Sequence, residues 1–326
     1  MRICSLLPGG TEILFALGLE EAIVGVSHEC DYPPPAARKP KIVRTDIDQD
    51  RLSSEAIDQA VQAAVQSGAI LYQVNEEILR AADPDLLVTQ ELCRVCAIET
   101  TQVHRLLGVL PRRPEVIALH AHTIAEVLEE IRTIGAATGR ARAAKEVVAA
   151  LTERLERVRT LVAGRPRPRV FCLEWLKPPM ACGHWVPEQV ACAGGDEVLG
   201  RTGAPSRYVT WEEITAARPD VLLLMPCGFS IERTRRELSA VTGQPQWQAL
   251  PAVRNRRVYL MNGPAYFNRP GPRLVDGVEL LAGLLHPERC DPSTLPPLAE
   301  LLRVVPSKRS ASRDDGLMPC GAVEPL

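Results

Sequence analysis

Aromatic residues are scarce in this chain of 326 residues, at 4%. The scarcity is uneven, because all four Trp lie after residue 165. A site built on aromatic surface therefore draws on the second half. Charge of one sign is lacking as well: 38 Lys and Arg stand against 40 Asp and Glu, a formal net charge of −2. That excludes the basic footprint of a nucleic-acid binder. Long apolar runs are missing too. Residues 13 to 26 are interrupted by Glu20 and Glu21, and nothing reaches the roughly 18–20 apolar residues of a membrane-spanning helix. The first apolar run, Ile3 to Leu7, stops at Pro8-Gly9-Gly10, short of the roughly 7–15 residues of a secretory core. Gly194-Gly195 opens neither a GxGxxG nor a Walker pattern, and GxSxG, HExxH and EF-hand signatures do not occur. These absences predict a cytoplasmic protein with reduced thiols, in which grouped cysteines mean metal or redox chemistry in preference to disulfides.

What is present fits a two-domain α/β protein. The length suits two ordinary domains, and 46% hydrophobic with 24% charged residues is a globular balance. Short apolar runs alternate with helical periodicity. Strands are predicted over 2–6, 22–26, 86–89 and 116–119, with helices from Thr11, over 53–67 and 75–82, and after a Thr123 cap. Residues 141–162 contain neither Gly nor Pro and are rich in Ala, Glu, Arg and Leu, which predicts one long helix. Beyond the stop at Gly164-Arg165-Pro166, strands are predicted over 169–175, 221–225 and 257–261, with helices over 187–192, 231–241 and 272–285. The expected fold is α/β: two β/α lobes joined by one long rigid helix. The expected domains are an N-terminal lobe over 1–140, the helix over 141–163, a C-terminal lobe over 164–290 and a flexible tail over 291–326.

Ser5-Leu6-Leu7-Pro8 with Thr11-Glu12-Ile13, Ala82-Asp83-Pro84-Asp85-Leu86, Ala193-Gly194-Gly195 and Arg218-Pro219-Asp220-Val221 appear in that order. The set resembles the periplasmic binding proteins for vitamin B12 and iron–siderophores, over residues 1 to about 287. The branch labelled cobalamin-binding protein is resembled by His28-Glu29-Cys30-Asp31-Tyr32-Pro33, Glu174-Trp175, Gly183-His184-Trp185-Val186-Pro187, Pro226-Cys227-Gly228-Phe229 and Arg269-Pro270-Gly271. The resemblance implies a ligand cleft between the lobes, a corrinoid such as cobalamin or a similar small-molecule metal chelate as ligand, and a transporter or a corrinoid enzyme as partner.

Two constellations carry candidate chemistry. Flat aromatic faces suit a broad corrin ring, so the ligand-binding candidates are Trp175, Trp185, Phe229 and Tyr266. Glu174 is a polar anchor, His184 a neutral imidazole able to ligate cobalt or iron, and Arg269 a fork for a carboxylate or phosphate. Trp211 and Trp247 read as core. The second constellation is cysteine. Cys93-Arg94-Val95-Cys96 follows one predicted strand, Cys30 another, and Cys227 a third. Strand carboxyl ends face the ligand crevice of open α/β sheets, so Cys30, Cys93, Cys96 and Cys227 form a candidate thiolate set for zinc or an iron–sulfur cluster. The competing reading is buried, inert thiols. Cys4, Cys172 and Cys192 read as core residues, and Cys182 more as a loop thiol than as a member of the set. The alternatives to a binding protein are an enzyme built on that cluster and a zinc-stapled binder.

Overall fold

A computed structural model describes residues 1–90, 107–108 and 110–289, together with strands at Leu302–Val304 and Val323–Pro325. The chain divides into two compact units. Residues 1–52, 56–154 and 269–275 make the first, and residues 53–55, 155–268 and 276–326 the second. Each is a mixed α/β lobe, as the alternation of patterns predicts.

The first unit holds strands β1 (Ile3–Ser5), β2 (Ile23–Ser27), β3 (Lys41–Thr45), β4 (Tyr72–Val74), β5 (Leu86–Gln90) and β6 (Glu115–Leu119), in the sheet order β4-β3-β2-β1-β5-β6. All neighbours are parallel except β4, which runs antiparallel to β3 at the edge. Parallel strands covered on both faces read as continuous apolar runs, and β1 and β5 are buried almost throughout. The first helix, Pro8–Ala16, begins earlier than Thr11 because Pro8 occupies its first turn, where a missing N–H costs nothing. Helix Ile124–Ala137 opens on the Thr123 capping box, Thr123 Oγ1 accepting from the Glu126 N–H while the Glu126 carboxylate accepts from the Thr123 N–H.

Helix Ala141–Val162 spans the predicted residues. The second unit holds β7 (Arg169–Trp175), β8 (Met180–Ala181), β9 (Asp196–Glu197), β10 (Arg207–Tyr208), β11 (Val221–Leu224), β12 (Val258–Leu260), β13 (Leu302–Val304) and β14 (Val323–Pro325). The sheet order is β10-β8-β7-β11-β12-β13-β14, with β9 against β7. β7, β11 and β12 are its parallel centre, and Phe171, Leu173, Leu222, Leu224, Trp247 and Leu260 fill the core beside them. Trp211 packs on that core with its ring 6.4 Å from Trp247. The helix predicted over 231–241 is two pieces, Ile231–Arg236 and Ser239–Thr242. The Leu238 N–H turns to the Arg235 carbonyl at 3.3 Å, a tighter bond that ends the first piece.

Candidate functional site

The carboxyl ends of β7 and β11 lie side by side in the second unit, and the loop after β11 is tied to β7 by the Cys227 N–H donating to the Glu174 carbonyl at 3.0 Å. Sequence candidates meet here. Glu174 accepts from Ser206 Oγ at 2.8 Å. Trp175 donates its indole N–H to the Ser54 carbonyl at 3.1 Å, and its ring centre is 5.1 Å from that of Phe229. Phe229 is fully buried, with the Arg233 guanidinium 4.2 Å from its ring centre. Arg233 pairs with Glu237 at 2.5 Å, and Glu237 accepts the Ser54 N–H at 3.0 and 2.9 Å. The circuit from Trp175 through Ser54, Glu237, Arg233 and Phe229 thus closes on itself. Burial pushes the Glu237 carboxyl upward, but hydrogen bonds from Ser54 and Arg233 outweigh it and hold the group below its ordinary value. The half-buried Trp175 ring is therefore fixed against Phe229, which carries the Arg233–Glu237 pair, an arrangement able to stack a flat ligand.

His184 and Trp185 open a neighbouring segment of the same unit. His184 has φ 52°, and its backbone is held by Ala204 and Gly203, at 2.7 and 2.9 Å. Trp185 is 3% exposed, its N–H donating to the Phe267 carbonyl at 2.7 Å, with its ring 5.6 Å from the half-buried His184 ring. Tyr266 is buried, and its carbonyl accepts from Gln189 Nε2 at 3.0 Å.

Arg269 belongs to the first unit, where it pairs with Asp31 and donates to the Glu29 carbonyl at 3.0 Å. Arg273 reaches Glu12 through two bonds of 3.0 and 2.6 Å and stacks on Tyr32 at 3.8 Å. Burial pushes the Glu12 carboxyl up against the pull of Arg273. Sequence reasoning singled out neither Glu12 nor the Ser54–Glu237–Arg233 set as site residues. Only the spacing of Arg233 and Glu237, one helical turn, carried a signal.

The cysteine candidates are distributed. Cys30, in the first unit, is buried 3.1 Å from Thr11 Oγ1, and burial pushes its thiol up to about 11. Cys227 is half-buried in the second unit. Cys93 and Cys96 lie outside the described residues. The ligand atoms that the described residues do bring to metal-binding spacing are those of Cys172, Cys182 and Glu197, all within 4.8 Å of one another.

With this geometry in place, likeness to known proteins becomes informative. The sequence pattern of a family described as "Periplasmic binding protein" matches residues 3–265. The chain is 25% identical over 291 residues to the Vitamin B12-binding protein of Vibrio cholerae, covering 85% of this chain and 86% of that one. It is 26% identical over 297 residues to the Cobalamin-binding protein of Halobacterium salinarum, covering 87% and 69%. The fold resembles the crystal structure of the periplasmic vitamin B12 binding protein of Vibrio cholerae, with TM-score 0.63, 24% identity and coverage of 87% and 96%. It also resembles a periplasmic heme binding protein from Pseudomonas aeruginosa, with TM-score 0.67, 19% identity and coverage of 88% and 93%.

These findings overturn the expected cytoplasmic setting, because the matching family and the similar folds are periplasmic. The apolar run on which the expectation leaned, Ile3 to Leu7, contains the buried strand β1 and reports the core of the first unit. The functional reading as a cytoplasmic binder falls with it, as does the argument that grouped cysteines must stay reduced.

Proposed function

This chain belongs to the periplasmic binding protein family, and from that premise we propose that it is a substrate-binding protein for a corrinoid or a closely related metal chelate. The observation that carries the reading is likeness, over 85% and 87% of the chain, to proteins named for binding vitamin B12 and cobalamin. The second unit supports it with the Trp175 ring at the end of β7, half-buried and fixed by its N–H to Ser54. A corrin is broad and flat, with amide arms at its edge, and such a ligand takes an aromatic face with a few polar anchors. Trp175 is the stacking face in this proposal, with Phe229, Trp185 and Tyr266 supporting it. Glu174 accepts from ligand amides, and His184 offers an imidazole to the metal. The ligand is passed to a membrane transporter; no helix among the described residues is long and apolar enough to cross a membrane itself.

Spectral titration with cyano- and aquocobalamin, beside haem and a ferric siderophore, tests the proposal. Saturable cobalamin binding at micromolar protein is expected, and Trp175→Ala weakens it about tenfold, roughly 1.4 kcal/mol. Failure of every cobalamin form to bind overturns the ligand assignment. Iron, zinc and acid-labile sulfide measured on the same sample report on a centre held by Cys30, Cys93, Cys96 or Cys227.

A further inference from the structure

Two buried cysteines face each other in the second unit. β8 pairs antiparallel with β7 so that Leu173 lies opposite Ala181. The next opposed pair is Cys172 and Cys182, and the Cys182 N–H donates to the Cys172 carbonyl at 3.3 Å. Directly opposed residues of an antiparallel pair have Cα atoms about 4.5–5.5 Å apart, within the about 4.4–6.8 Å that disulfides bridge. Both side chains are buried, and their sulfurs lie within 4.8 Å of each other.

We infer that Cys172 and Cys182 form a disulfide in the mature protein. The inference rests on the family's periplasmic setting and is independent of which ligand is bound. The bacterial periplasm is kept oxidising, and small thiol pairs there are oxidised by exchange with another disulfide. The step balances: two thiols become one S–S bond, and their two protons and two electrons pass to an external protein or small-molecule disulfide, which leaves as two thiols. Glu197 lies beside the pair, its carboxylate hydrogen-bonded to the Cys182 thiol.

The same three residues suit a metal less well. The Glu197 carboxylate is already occupied, one oxygen by the Cys172 N–H at 3.2 Å and the other by the N–H groups of Leu199, at 2.8 Å, and Gly200. The Gly200 backbone closes over the sulfur: a Cβ there would stand 2.9 Å from Cys182 Sγ and 2.9 Å from Glu197 Oε2. A zinc ion would have to displace these contacts and find a fourth ligand. Cys30 and Cys192 have other neighbours, Thr11 Oγ1 at 3.1 Å and Arg159 Nη2 at 3.5 Å.

The test is thiol mapping of the full chain equilibrated in an oxidising glutathione buffer, denatured, alkylated without reductant and digested. A linked peptide joining Cys172 to Cys182 is expected, with both sites protected from alkylation. It disappears in Cys172→Ser and in Cys182→Ser, and reduction lowers the melting temperature of the parent chain but not of the doubly substituted one. Quantitative alkylation of both residues overturns the inference, as does linkage of either to another cysteine. Stoichiometric zinc with both thiols reduced, lost in Cys182→Ser, also overturns it, in favour of a metal site. Cobalamin titration of the same oxidised sample keeps the two questions apart, since binding with free thiols refutes only the disulfide.

Discussion

Each unit holds an arginine between a carboxylate and an aromatic ring, and the two assemble it in opposite ways. In the second unit, Arg233 and Glu237 are one helical turn apart and Phe229 lies just upstream. In the first unit, Glu12 and Arg273 are 261 positions apart and the ring comes from Tyr32. The carboxylates differ accordingly. For Glu237 burial is the largest influence and acts upward, yet Ser54 and Arg233 together bring the group below its ordinary value. Glu12 is 3% exposed, and there burial prevails over Arg273, so its carboxyl lies above the ordinary value. A local pair can recruit further donors cheaply. A pair closed over most of the chain buries its carboxylate more deeply, and there Arg273, with Arg269 at 4.0 Å, does not offset the burial.

The largest test of that contrast is Arg273→Ala. Leaving Glu12 with only Arg269, at 4.0 Å, costs about 3–5 kcal/mol, the range for breaking a buried ion pair, measured by denaturant unfolding. Arg233→Ala costs less, about 2 kcal/mol, because Glu237 keeps the Ser54 N–H while the charged hydrogen bond and the contact with the Phe229 ring are lost. Equal losses would break the comparison.

Proton linkage sharpens it with a smaller effect of opposite sign in the two units. Glu12 titrates above its ordinary value, so its contribution is complete below the unfolded-state pKa and fades as pH rises through the folded value. Glu237 titrates below its ordinary value, so its contribution is present above the unfolded-state pKa and fades as pH falls through the folded value. Glu12→Gln is expected to remove a loss of stability on raising pH, and Glu237→Gln a loss on lowering it. Unfolding at a series of pH values gives both slopes, and slopes of the same sign refute the assignment.

The smallest effects should not differ between units. Thr123 and Thr210 head matching capping boxes, with Glu126 and Glu213. Thr123→Ala and Thr210→Ala are each expected to cost about 1 kcal/mol, and thermal unfolding of the two variants checks the equality.

The same division between local and distant explains what could be read from residue order. Helix Ala141–Val162 and strand Arg169–Trp175 have their predicted limits, because a long Gly- and Pro-free stretch and a bounded apolar run are local signals. Lys41–Thr45 and Tyr72–Val74 were not anticipated as strands. Lys41 and Arg44 break the apolar pattern of one, and the other is a half-buried edge strand whose identity comes from pairing. Trp175 and Phe229 were named separately from their loops, and their ring contact follows from adjacent strand ends. Glu12 lay within a recognised segment, but its role depends on Arg273, and nothing in the order of residues announces that closure.

Residues 269–275 complete the first unit although they follow most of the second. On the ribosome, the N-terminal lobe therefore emerges long before Arg269 and Arg273 do, with Glu12 still lacking the guanidinium it is buried against. A fragment ending at residue 154 would carry the same deficit permanently.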